Sequence, residues 1–204
     1  MNFDKPKINT PERENPQKRI EVLRGIKTPE ELFAFMRENI RYGFVGKDGG
    51  EIYSPEQEGW GKGEQPEQEL QNPEELLESS HGTCWEQTEL ARQWFSENNF
   101  VFKTFLLNFG SEISQKNPAH TFLAFSKGDK WYWFENSLDK YNGVHEFGSL
   151  DDLIEDVKSK IISNAIANGA TEDDIGKYKL FEYDTPAYGI STNDFISKIT
   201  GKIE

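Results

Sequence analysis

The stretch Ser80-His81-Gly82-Thr83-Cys84-Trp85-Glu86-Gln87-Thr88-Glu89-Leu90-Ala91 decides how the rest of the chain is read, and it holds the only cysteine. A lone cysteine closes no internal disulfide, so three uses remain: an inert buried thiol, a metal ligand or a nucleophile. By residue type alone the inert thiol comes first, because free cysteine packs as a small hydrophobe. The flanking residues argue the other way. Thr83 and Glu86 have capping-box spacing, with Thr at the N-cap and Glu three residues on. Leu90, Ala91, Trp94 and Phe95 follow at helical period, and that period sets Cys84, Thr88, Ala91 and Phe95 on one stripe. Cys84 is therefore expected at the first helical position. Unpaired N–H groups and the positive end of the helix dipole favour a thiolate there, and the same N–H groups can receive an oxyanion. Gly82 is expected to leave room for a substrate backbone.

Working outward, the 204 residues allow one domain with extensions, and 15 Phe, 7 Tyr and 5 Trp supply core volume. The formal net charge of -13 argues against a nucleic-acid partner, which demands a cationic face. No apolar run approaches the roughly 20 residues of a membrane span. Met1 to Arg24 is polar and charged, with no apolar signal region. A cytoplasmic protein is expected, with export by a dedicated machine left open.

Residues 1–28 read as an extended arm ending in a short helix over Arg19 to Arg24, and residues 29–204 as a single domain. Thr28-Pro29-Glu30-Glu31 and Asn72-Pro73-Glu74-Glu75 are capped helix starts. Between them, residues 46–72 read as an acidic loop, with Trp60 as its one anchoring residue. After the cysteine helix the period changes. Phe100 to Phe109, His120 to Phe125 and Lys130 to Ser137 read as strands, with a hairpin turn at Lys127-Gly128-Asp129. A helix from Ser149 to about Asn168, ended by Gly169, a strand from Tyr178 to Tyr183 and a helix from Ser191 to Ile199 complete an α+β arrangement: a nucleophile helix packed on an antiparallel sheet, with flanking helices.

A thiol nucleophile needs a base, and the base an orienting partner. His81 lies too close to Cys84 in sequence, and His145 reads as a surface strand or turn residue. His120, opening a strand, is the better placed. Its partner depends on hairpin register. A two-residue loop pairs Lys127 with Lys130, sets His120 opposite Ser137 and brings Glu135 onto the His120 face one diagonal step away. A three-residue loop brings Asn136 opposite His120 instead. For an oxyanion, the Cys84 N–H needs a second donor; the candidates are Tyr42, Trp60 and Gln87, with Tyr42 preferred.

Gly82-Thr-Cys84-Trp-Glu86, Ala119-His120-Thr-Phe122 and Trp131-Tyr-Trp133-Phe-Glu135-Asn-Ser137 together resemble the transglutaminase-like (papain-like) cysteine superfamily. The resemblance spans roughly Leu76 to Val157. It implies Cys84 as nucleophile, His120 as base and acid, and Glu135 in the third place, where that superfamily typically has Asp. It implies acyl transfer on amide or peptide bonds of a protein or peptide substrate, without a cofactor, through a Cys-His-Glu triad. Two other classes stay open. His81, Cys84, His120 and His145 could ligate zinc, although the paired spacing of a zinc motif is missing. The same fold without catalysis would be a binding module, a reading kept open by Glu in the third place. The acid pairs Asp151-Asp152 and Asp173-Asp174 lack calcium-loop spacing and read as helix N-terminal acids.

Overall fold

The structure is a computed structural model, and it describes residues 15–46, 52–54, 68–108, 119–167, 171 and 178–201. Residues 1–14, most of the acidic loop with Trp60, Gly169 and Asp173-Asp174 lie outside the described residues. Six α-helices are described: α1 (Pro16–Gly25), α2 (Pro29–Asn39), α3 (Pro73–Ser79), α4 (Cys84–Glu97), α5 (Leu150–Ala167) and α6 (Thr192–Thr200). The main sheet has five antiparallel strands, β5 (Val101–Asn108), β6 (Ala119–Lys127), β7 (Lys130–Glu135), β8 (Gly143–Phe147) and β9 (Lys179–Glu182), in the order β8-β7-β6-β5-β9. Two small pairs precede it. The strands β2 (Phe44–Val45) and β3 (Ile52–Tyr53) are antiparallel, while β1 (Arg41–Tyr42) and β4 (His81–Gly82) are parallel. The chain is thus α+β.

Local chemistry sets the helix starts. Thr28, Asn72 and Thr83 each cap a helix in a reciprocal box with the Glu at N3, which satisfies two of the backbone donors a helix start leaves open. The hairpin between β6 and β7 closes through Gly128 at φ 66° and pairs Lys127 with Lys130. This is the two-residue register.

Where the arm was expected, α1 begins at Pro16, earlier than the short helix read from sequence. Its Arg19 is buried and donates to the Leu77 carbonyl and to Ser80 Oγ, so α1 is tied to the carbonyl end of α3. The helix α4 also differs from its one-stripe reading. Leu90, Ala91, Trp94 and Phe95 pack with Leu32, Phe35, Met36, Leu76 and Leu77 and with Leu123, Phe125 and Phe134 of the sheet. Trp85 packs instead with Leu70, Leu106, Tyr183 and Phe195. Glu86, Gln87, Thr88, Glu89 and Arg92 are buried as well. From Trp85 to Arg92 the helix is buried on every side and must satisfy its polar residues internally: Thr88 Oγ1 lies 3.3 Å from Thr121 Oγ1, and the others carry bonds or ion pairs described below. The helix α5 covers the other sheet face through Leu153, Val157 and Ile161 against Phe122, Ala124 and Trp133; Asp151 and Asp152 lie in its first turn.

The last described segment locks onto the start of α4. Leu70 N donates to the Ile190 carbonyl and Gly189 N to the Leu70 carbonyl, each at 2.9 Å. Phe195 of α6 lies 4.2 Å, centroid to centroid, from Trp85.

Candidate active site

Three elements converge. The helix α4 places Cys84 at its first residue, half-buried. The strand β6 opens at Ala119-His120, with His120 5% exposed. The strand β7 ends on Glu135, 2% exposed. His120 Nε2 lies 2.8 Å from Glu135 Oε2, and Cys84 lies near enough to the ring to raise its pKa. With Nε2 committed to the carboxylate, Nδ1 is the ring nitrogen left for the sulfur.

Glu135 is held at both oxygens. Oε1 accepts from Ser137 N at 2.7 Å, Ser137 Oγ at 2.8 Å and Leu138 N at 2.9 Å. The turn after β7 therefore fixes the carboxylate, and the longer Glu side chain still reaches the ring. Burial favours the neutral acid, but the His120 charge and the bonds from His120 and Ser137 outweigh it and hold this carboxyl below its ordinary range. For His120, burial acts to lower the pKa. The Glu135 charge, the bonds to Cys84 and Glu135 and the Cys84 charge override that and push it up to about 10. The ring is an imidazolium at neutral pH.

The nucleophile turn has its own support. Thr83 N and Thr83 Oγ1 donate to Glu86 Oε2 at 2.9 and 2.6 Å, and Gln68 donates to the other oxygen. Burial, against these bonds, raises the Glu86 pKa. Gly82 serves packing rather than substrate approach: a Cβ there would meet Leu76 Cδ1 at 2.6 Å and Glu86 Cβ at 2.9 Å. The space expected to be open is filled by the chain itself.

The parallel pairing of Tyr42 with Gly82 brings β1 alongside this turn. Burial, and then the negative charges of Cys84, Glu86 and Glu135, raise the Tyr42 pKa well above the usual phenol value. Its hydroxyl stays protonated and able to donate. Gln87 is placed otherwise: its Nε2 donates to the Gly82 carbonyl at 2.9 Å, and its Oε1 accepts from Asn136 Nδ2 at 2.7 Å. Asn136 thus bonds α4, and the carboxylate on His120 is that of Glu135. A pocket of about 10 Å³, room for roughly one water, is lined by Cys84, Gln87, Thr88, Thr121, Asn136 and Ser137 among others.

The four residues weighed for zinc are not gathered. His81 Nδ1 lies 2.9 Å from the Ser79 carbonyl and His145 Nε2 2.7 Å from the Tyr141 carbonyl. Among the described residues no group of three or more His, Cys, Asp or Glu could hold a metal ion. No helix among them is long and apolar enough to cross a membrane. No protein-family model and no curated protein matches the chain.

Sequence reasoning passed over one buried cluster, Glu89, Arg92, Thr104 and Tyr183. Its signal was present: Glu89 and Arg92 stand at i, i+3 and flank the apolar Leu90 and Ala91.

Proposed function

We propose that the chain is a cysteine-dependent acyl-transfer enzyme acting on amide or peptide bonds, with α4 and the antiparallel sheet forming a transglutaminase-like (papain-like) core. One observation carries the reading: a buried His120–Glu135 pair at 2.8 Å beside the lone cysteine, which stands at a helix start and acts on the ring's pKa. In this reading Cys84 Sγ attacks the substrate carbonyl carbon. The developing oxyanion is met by the Cys84 backbone N–H, with Tyr42 as second donor. The imidazolium then protonates the leaving amine as the C–N bond breaks, leaving a thioester. Two of the causes that raise the His120 pKa come from Cys84 itself. Acylation removes the sulfur's charge, the ring releases its proton more readily, and neutral His120 can then take a proton from the resolving water. Water adds to the thioester and the C–S bond breaks, restoring the thiol side chain and releasing the acid.

The one-water pocket beside Cys84 supports hydrolysis ahead of transfer to a bulky amine. The substrate is a protein or peptide. Incubation with a panel of fluorogenic peptide amides, with and without a primary amine, tests the reading. Wild type is expected to turn over, and Cys84→Ala to lose all turnover. Equal signals from the two proteins would sink it. Tyr42→Phe is expected to cut kcat about 100-fold, the usual size of a lost oxyanion donor, with the protein still folded.

A further inference from the structure

Between the acid's strand and the nucleophile's turn runs a chain of two side-chain amides that neither the triad nor the oxyanion donors use. Its direction is fixed. The Gly82 carbonyl can only accept, so Gln87 must present its NH₂ group there; its carbonyl then faces Asn136, which must present its own NH₂ in turn. The links measure 2.9 and 2.7 Å. Gln87 is 3% exposed and Asn136 7% exposed, so both bonds are shielded from bulk solvent. The ends of the chain matter most. Asn136 directly follows Glu135, and Gly82 stands two residues before Cys84.

We propose that Gln87 and Asn136 are positioning residues: their amide chain sets the distance between the Cys84 sulfur and the His120–Glu135 pair. The proposal rests on the acyl-transfer reading and adds a part to it. One other polar link crosses between the halves, Thr88 Oγ1 to Thr121 Oγ1 at 3.3 Å, and it reaches the His120 strand rather than the end of β7; the remaining supports are local to each half. Glu86 braces the turn from within α4, and Ser137 and Leu138 brace Glu135 from within its own loop. The amide chain joins the turn before Cys84 to the end of β7, which carries Glu135. A shift of about 1 Å between reacting groups can cost a hundredfold in rate, so a link of this kind has leverage out of proportion to its bond energy.

The test needs no substrate, because the lone cysteine reports on itself. The rate of Cys84 alkylation by iodoacetamide is measured from pH 5 to 8, with near-ultraviolet circular dichroism confirming the fold of each variant. Gln87→Met and Asn136→Leu keep size and remove the link; each is expected to slow alkylation at pH 6 about tenfold or more. The double variant is expected to be no slower than either single one, since both break the same chain. Gln87→Glu gives a readout that filling space would not move. Protonated, its carboxyl donates to Gly82 and accepts from Asn136, so near pH 5 its rate approaches wild type. Ionised, it turns an oxygen against the Gly82 carbonyl, and the ratio to wild type falls as pH rises.

Rates for the Met and Leu variants within twofold of wild type would overturn the proposal, as would Gln87→Glu no faster than Gln87→Met at pH 5. The parent reading fails separately. If wild type and His120→Ala alkylate equally at pH 6, there is no ion pair to position and both ideas fall together.

Discussion

Two buried carboxylate–cation arrangements lie along α4, and they behave in opposite ways. At its N-terminal end, the His120–Glu135 pair meets the sulfur of Cys84. Further along, Glu89 Oε2 lies 2.8 Å from Arg92 Nε, Tyr183 OH donates to Glu89 Oε1 at 3.0 Å, and Arg92 reaches the Thr104 hydroxyl and the Tyr183 carbonyl. Burial is the largest influence on both carboxyls. For Glu135 its counterweights win and the pKa falls. For Glu89 they lose and the pKa rises, despite the Arg92 charge and the Tyr183 bond; the Glu86 charge adds to the rise. The geometry accounts for the difference. Glu135 receives three bonds from Ser137 and Leu138 in addition to the ring. The Glu89–Arg92 contact joins charges without the alignment of a hydrogen bond. A buried ion pair is therefore not a site by virtue of burial. The His120–Glu135 pair leaves one ring nitrogen uncommitted to the carboxylate, while the Glu89–Arg92 pair is closed by a tyrosine.

The largest expected effect separates the two by stability. Glu89→Ala strands a guanidinium that cannot shed its charge and is expected to cost about 3–5 kcal/mol in urea unfolding, while Cys84 alkylation in the folded protein is unchanged. Glu135→Ala is expected to cost less, because an imidazole left alone can lose its proton, yet Cys84 reactivity at pH 6 should drop about tenfold or more. Equal stability losses with equal reactivity losses would erase the distinction.

The pH dependence sharpens it. His120 has its pKa raised to about 10 from 6.5, so its contribution to stability is complete below the lower value and is lost as pH rises through the upper one. Glu135 is lowered from 4.5, so its contribution is complete above that value and is lost as pH falls through the lowered pKa. The gap in melting temperature between wild type and His120→Ala should therefore be widest near about pH 5 to 6 and shrink toward pH 10. A gap independent of pH would mean that the ring is neutral when folded. The smallest effect is Tyr183→Phe, which removes one buried bond to Glu89 and is expected to cost about 1–3 kcal/mol without altering the alkylation rate.

Much of the frame was legible because the signals are local. Thr28, Asn72 and Thr83 announce their helices within four residues, and Gly128-Asp129 announces the hairpin of β6 and β7. Counting from that turn left two registers, and the observed pairing of Lys127 with Lys130 selects the one that brings Glu135 to His120. The long-range features were not legible. The strands β1 and β4 have two residues each and pair in parallel across about forty residues of chain, a pairing that no periodicity announces. Gly82 looked like room for substrate because nothing in the sequence says that Leu76 and Glu86 converge on it. Asn136 looked like a rival to Glu135, while its partner, Gln87, lay in a helix read as one apolar stripe.

The contact between residues 189–196 and the opening of α4 has a consequence for synthesis on the ribosome. A nascent chain that has exposed Cys84, His120 and Glu135 still lacks Ile190 to hold Leu70 and Phe195 to cover Trp85. Its thiol is then expected to alkylate with the pH profile of a free cysteine. Only chains arrested after residue 196 has cleared the exit tunnel are expected to alkylate at the rate of the folded protein, so the sulfur's reactivity would follow the docking of this late segment.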